Sequence, residues 1–145
     1  MSETEENKIL VRRFFEELWN QGNMVVAHEL LAPTHVHHFP DGDIDGPDGV
    51  MQLVSTLRTA FPDFYMKTDD VIAEADKVVM RFTIRGTHQG EGMGSPPTGK
   101  VVSYTGIDIF RIAEGKIVER WGEIVERWGE IDALGLMRQI GGLPH

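Results

Sequence analysis

The main change of hydrophobic period in this chain, from 3.6 to 2, falls at Phe61-Pro62-Asp63. Before that point apolar residues recur every three to four positions. After it they alternate. Helices followed by a run of strands is the α+β pattern, a curved, mostly antiparallel sheet with helices on one face. In the first half, Ser2-x-x-Glu5 reads as a capping box opening a helix, whose inner face carries Val11, Phe14, Phe15 and Leu18. Gln21-Gly22-Asn23 ends that helix. Asn23 can cap a short second one bearing Val26, Leu30 and Leu31, which Pro33 would end. Thr34 to Phe39 looks extended, and Asp41 to Gly46 reads as a loop. Pro47 opens a third helix, with Val50, Met51, Val54, Leu57 and Phe61 inward.

The second half reads as strands at Phe64–Glu74, Lys77–His88 and Val101–Ile112, with a fourth starting near Lys116. Ala75-Asp76 and Ala113-Glu114-Gly115 are the turns. Asp132 to Ile140 reads as a short C-terminal helix stopped by Gly141-Gly142. Within this region Val118–Ile124 recurs unchanged as Val125–Ile131. Such identity points to slippage or engineering. A strand has a side-chain period of two, so an odd shift of seven swaps every residue to the other face. Trp121 and Trp128 cannot both face the core of one regular strand. Three arrangements are open. The first copy fills the strand and the second lengthens the last helix. The second copy fills it while the first bulges at the hairpin. Or the strand overruns and pairs with another subunit. The tight hairpin favours the first copy in the strand, and the C-terminal helix signal favours the second.

Composition narrows the partners. With 145 residues the chain has room for one core. Fourteen Lys+Arg against 23 Asp+Glu leave a net charge of -9, which argues against a nucleic-acid partner. Cysteine is absent, so no thiol chemistry is available. No apolar run is long enough to cross a membrane, and the acidic start is unlike a signal peptide, so the expected location is cytoplasmic.

Several short motifs, in order, carry a resemblance. They are His37-His38-x-Pro40, Gly46-Pro47-x-Gly49, Phe61-Pro62-Asp63, Asp76-Lys77-Val78-Val79-x-Arg81 and Gly86-Thr87-His88-x-Gly90. Pro97-Thr98-Gly99-Lys100, Gly115-Lys116-Ile117-Val118-Glu119-x-Trp121 and Trp128-x-x-x-Asp132 follow, with Leu134-Gly135-Leu136 and Gln139-Ile140-Gly141 at the close. The set resembles the SnoaL-like polyketide cyclases of the NTF2-like superfamily over nearly the whole chain. The resemblance implies a cone-shaped α+β barrel, a strongly curved sheet wrapped around the N-terminal helices and enclosing a deep pocket. It implies a small hydrophobic or polyketide-like substrate, no cofactor or metal, and a homodimer. The type reaction is aldol ring closure of a polyketide ester. A non-catalytic ligand-binding or dimerisation module on the same scaffold is the alternative.

In the family, the tryptophan of the last strand is followed four residues later by an aspartate facing the pocket. The first copy of the repeat offers Trp121 and Val125, the second Trp128 and Asp132. The resemblance therefore makes Asp132 the candidate acid/base, although an Asp at a helix start is also a favoured cap. His38 and His88 are candidate catalytic partners able to polarise a carbonyl. Parity allows only one of His37 and His38 to face inward, and does not say which. His37, Arg81, Tyr104 and Trp128 are candidates for lining the substrate site, Arg81 by holding a carboxylate or ester oxygen if its strand face lines the barrel. The bland alternatives are surface histidines, an ion-paired arginine and core aromatics. Two metal patterns are incomplete. His35-x-His37 with His88 lacks a ligand fixed by spacing, and Asp41-x-Asp43-x-Asp45-Gly46 has Gln52 where an EF-hand has glutamate. Gln89 to Gly99, rich in Gly and Pro, is not a phosphate loop and reads as a lid or a plain long hairpin loop.

Overall fold

The computed structural model describes residues 1–39, 42–91 and 96–129, with side chains up to Gly122. The expected C-terminal helix, Asp132 included, lies outside the described residues, as does part of the Gln89–Gly99 loop. Helix α1 (Glu3–Arg13) starts on Ser2, whose Oγ accepts a hydrogen bond from the Glu5 N–H at 3.2 Å. It continues as a π-helix from Phe14 to Asn20, which turns four large residues, Phe14, Phe15, Leu18 and Trp19, into the core. The Asn20 side chain exchanges two hydrogen bonds with the Met66 backbone, at 2.7 and 2.9 Å. Arg58 donates to the Trp19 and Asn20 carbonyls at 2.9 and 2.7 Å. The end of the π-helix is thereby tied down where Trp19 packs.

A single turn of 3-10 helix (Met24–Val26) leads into α2 (Ala27–Leu30) and directly into strand β1 (Leu31–Phe39). Pro33 therefore does not end the helix, as the sequence suggested. The helix ends at Leu30, and Pro33 sits exposed within β1. Within the expected Asp41–Gly46 loop, Gly42–Asp45 forms a short edge strand, β2, paired antiparallel with Val36–Phe39. Helix α3 (Gly46–Ala60) has Pro47 in its first turn and buries Val50, Leu53, Val54 and Leu57. Strands β3 (Tyr65–Glu74), β4 (Lys77–Thr87), β5 (Val101–Ala113) and β6 (Lys116–Gly129) follow, the last elements among the described residues.

The strands form one open, curved sheet of six, ordered β2-β1-β6-β5-β4-β3. Every pairing is antiparallel except β1 with β6, which is parallel. The inner face carries Val78, Met80, Phe82, Val102, Tyr104 and Phe110, buried against the helices. Phe14 and Phe15 stand edge-on to Phe110 at 5.8 and 5.7 Å.

The duplicated segment is absorbed in β6 itself, by none of the three arrangements in full. The first copy holds the hairpin register: Ala113 pairs with Lys116, Ile109 with Trp121 and Gly106 with Ile124. The strand does overrun, but the second copy pairs with β5 of its own chain, Thr105 with Glu126 and Ser103 with Trp128. The strand is not regular. Val118 has no partner between the Ile112–Ile117 and Arg111–Glu119 pairs, and Val125 has none between Gly106–Ile124 and Thr105–Glu126. Each copy thus opens with a one-residue bulge, and seven residues of β6 span six of β5. Bulges of this kind reset parity. The partners of Trp121 and Trp128 on β5 are an even six residues apart, so the odd length of the repeat is cancelled.

Candidate active site

The residues that matter come from three neighbouring strands, β1, β6 and β5. Burial settles the parity question on β1: His35 and His37 face inward, at 1% and 2% exposure. His37 pairs across the parallel rung with Arg120 on β6. Beside it on β5, Asp108 is 1% exposed. Arg120 donates from Nε and Nη2 to one Asp108 oxygen, Oδ2, at 2.7 and 2.6 Å. Its Nη1 donates to His37 Nδ1 at 3.5 Å. The guanidinium is enclosed by four rings: Phe14, Phe15, Trp19 and Phe110, with centroids 5.3 to 5.7 Å away. Cation–π attraction and two convergent N–H donors on one carboxylate oxygen are both contacts that guanidinium geometry serves.

Gly122 makes room for the third side of the cluster. A Cβ there would stand 2.6 Å from Asp108 Oδ1 and 3.5 Å from His37 Nε2. Those two atoms therefore converge on one point above a residue without a side chain. Chemistry fixes the tautomer. A guanidinium has only donors, so His37 Nδ1 must accept, and the ring proton sits on Nε2. The point above Gly122 is bounded by one acceptor, Asp108 Oδ1, and one donor, His37 Nε2–H.

Burial sets the protonation states. Loss of hydration pushes the Asp108 carboxyl up, against the pull of Arg120, which makes the carboxylate a stronger base than in water. Desolvation, aided by the Arg120 charge, holds the His37 imidazole well below its ordinary value, so it is neutral at pH 7. His35 is likewise pushed down, to about 4, mainly by burial, with Nδ1 on the Ile117 carbonyl at 3.1 Å. A neutral donor beside a basic carboxylate suits removal of a proton next to a carbonyl and stabilisation of the resulting enolate.

The other sequence candidates fall elsewhere. His38 is on the outer face of β1, with Nδ1 3.0 Å from Asp43 and Nε2 2.9 Å from Glu119, stacked on Trp121 at 5.3 Å. His88 is buried just past β4, with Nδ1 3.2 Å from Thr98 Oγ1 and its ring 5.5 Å from Phe61. Gly90, two residues on, lies so close to α3 that a Cβ would collide with the Thr59 carbonyl. Tyr104 is buried on the inner face of β5, opposite Ile84 and Arg127. The face of β4 that carries Arg81 does not line the interior. Met80 and Phe82 do, and Arg81 is exposed and paired with Asp70 at 2.6 Å. Trp128 is placed by backbone pairing alone, and Asp132 lies outside the described residues. Of the metal patterns, Asp43 is engaged with His38, and among the described residues no three His, Asp or Glu side chains converge on a metal position.

Asp108 and Arg120 were missed by sequence reasoning. One signal was available. In the alternation Val102-Tyr104-Gly106-Asp108-Phe110-Ile112, a single charged residue falls among apolar positions of one face. A charge at a core parity is where a functional group or its partner belongs.

Comparison with known proteins agrees with this architecture. The profile of the SnoaL-like polyketide cyclases matches residues 9–140. The aklanonic acid methyl ester cyclase DauD of Streptomyces sp. (strain C5) is 30% identical over 138 residues, covering 91% of this chain and 80% of the relative. Among solved structures, AclR from Streptomyces galilaeus, assigned as a hydroxylase, superposes with a TM-score of 0.75 at 32% identity, covering 98% of this chain and 85% of its own. A SnoaL-like polyketide cyclase from Jannaschia sp. CCS1 superposes with a TM-score of 0.78 at 25% identity, covering 99% and 98%. With the helix-filled curved sheet and its buried polar cluster, this match over most of the chain means that the protein belongs to the SnoaL-like polyketide cyclase family.

Proposed function

We propose that the chain is a polyketide-ester cyclase that closes a ring by intramolecular aldol addition, using side-chain acid/base chemistry. The observation that carries the reading is the convergence of Asp108 Oδ1 and His37 Nε2 above Gly122. In this reading Asp108 Oδ1 takes the proton from the carbon next to the ester or ketone carbonyl. The His37 Nε2–H donates to the enolate oxygen that forms, and the Arg120 charge behind it favours that negative charge. The enolate carbon then bonds to a second carbonyl carbon of the same molecule, and the new alkoxide recovers the proton from Asp108. No group is lost, and the carboxylate is regenerated. Relatives named for aklanonic acid methyl ester support a polyketide methyl ester as the substrate class.

The resemblance assigns the same acid/base role to Asp132, so two carboxylates compete for it. The test is cyclisation of aklanonic acid methyl ester by wild type, Asp108→Asn, His37→Gln and Asp132→Asn, with circular dichroism to confirm folding. Loss of one general acid/base costs a factor of about 10²–10⁴. That loss in Asp108→Asn and His37→Gln, with Asp132→Asn near wild type, is the expected result. The reverse pattern assigns the proton transfer to Asp132. Binding of the ester by the wild type without turnover would leave the chain as a binding module.

A further inference from the structure

The outer face of the sheet carries a second polar cluster, back to back with the first. His38 follows His37 on β1, and Glu119 precedes Arg120 on β6. On this face His38 Nδ1 lies 3.0 Å from Asp43 on β2 and Nε2 lies 2.9 Å from Glu119 on β6. Both partners are carboxylates, which only accept, so both ring nitrogens must carry protons: the ring is an imidazolium. Arg111 on β5 holds the other Glu119 oxygen at 2.7 Å, and Trp121 covers the ring. The cluster therefore spans four strands. It crosses the one parallel seam among the described strands. The parallel β1–β6 pairing is interrupted between Leu31 and Val36, and then consists of three rungs, Val36–Glu119, His37–Arg120 and His38–Trp121.

From this we propose that His38 is a positioning residue, an imidazolium clasp whose double hydrogen bond to Asp43 and Glu119 fixes the rung that holds His37 against Arg120 on the inner face. The proposal rests on the reading of His37 and Arg120 as site residues. Deprotonated, the ring keeps one N–H and must release one carboxylate. The groups facing it are Asp43 on β2, with Asp45 two residues along, Glu119 on β6 and Arg111 on β5 behind Glu119. Arg120, His35 and His37 lie beneath it on the inner side. Burial alone would lower the imidazolium pKa, but the bonds to Glu119 and Asp43 outweigh it and raise it above the ordinary value.

The experiment is pH-resolved ¹⁵N NMR of the full chain, following the His38 and His37 ring nitrogens and the Arg120 Nε–H. Wild type, His38→Gln and Glu119→Gln are compared. Wild type should show His38 protonated at both nitrogens at pH 7. The Arg120 and His37 signals should shift as His38 loses its proton at higher pH. His38→Gln should abolish that inflection, and Glu119→Gln should move it to lower pH. Should His38→Gln fail to fold, the displaced inflection in Glu119→Gln still decides. Arg120 and His37 signals indifferent to His38 titration would overturn the clasp. Because this readout needs no turnover, signals that follow His38 in a protein unable to cyclise the ester would leave the clasp standing and sink the cyclase reading alone.

Discussion

The decisive residues are charged or titratable groups placed where water is excluded. Asp108 and Arg120 are tolerable there only as a pair, since an ion stripped of water without a partner costs several kcal/mol. Replacing Arg120 by Met leaves an uncompensated carboxylate and should lower stability by about 3–5 kcal/mol in urea unfolding. The double variant Arg120→Met with Asp108→Leu should recover most of that loss. If it is no more stable than the single variant, the ion pair is not what the site needs in order to fold. His35 gives a second residue-scale expectation. Its folded pKa is depressed to about 4, so between roughly pH 6.5 and 4 the unfolded chain binds a proton that the folded chain does not. Stability must therefore fall as pH drops through that window, by up to about 3 kcal/mol. His35→Gln should make this acid limb shallower, leaving the share of His37, and an unchanged limb would assign it to other groups.

At the scale of the element, β6 holds the most instructive behaviour. A strand cannot take an odd insertion without inverting its faces. This one takes seven residues because each copy begins with an unpaired valine, Val118 or Val125. Deleting Val125 alone should leave every other β5–β6 pair in place and change the melting temperature by no more than a few degrees, since only an unpaired residue is lost. A loss of cooperative melting would mean that the bulge bends the strand in a way the sheet requires. The π-helix is a second device of this kind. It carries Phe14, Phe15 and Trp19, whose rings all lie against the Arg120 guanidinium, and such segments often accompany functional sites.

For the molecule as a whole, the titrations combine into a stability curve with two limbs. His35 and His37, held neutral, withdraw stability as pH falls below their unfolded value. His38, raised, contributes fully below the unfolded histidine value and loses its contribution as pH rises through its folded pKa. Maximum melting temperature should therefore lie just on the neutral side of the unfolded histidine value. A monotonic profile from pH 5 to 8 would contradict that balance. Removing Val125–Ile131 joins Ile124 directly to Asp132, restoring the family spacing of tryptophan and aspartate at Trp121. The hairpin and the parallel rungs involve only the first copy, so the shortened chain should fold, and cyclisation faster than in the full chain would assign Asp132 a share of the proton transfer. Much of this was legible beforehand. The Ser2 cap, the inward faces of α1 and α3 and the hairpins follow from local propensity and periodicity, which act within a few residues, whereas the spacing of tryptophan and aspartate was carried by the family resemblance. Gly42–Asp45 was read as a loop because its pairing with β1 is a tertiary event that outweighs Gly and Asp propensities. Whether His37 or His38 faces inward, how β6 places its bulges and that Arg120 meets Asp108 were decided only by the tertiary structure. Parity has no sign until a strand has a partner, and a buried ion pair exists only once the sheet brings two distant segments together and removes the water between them.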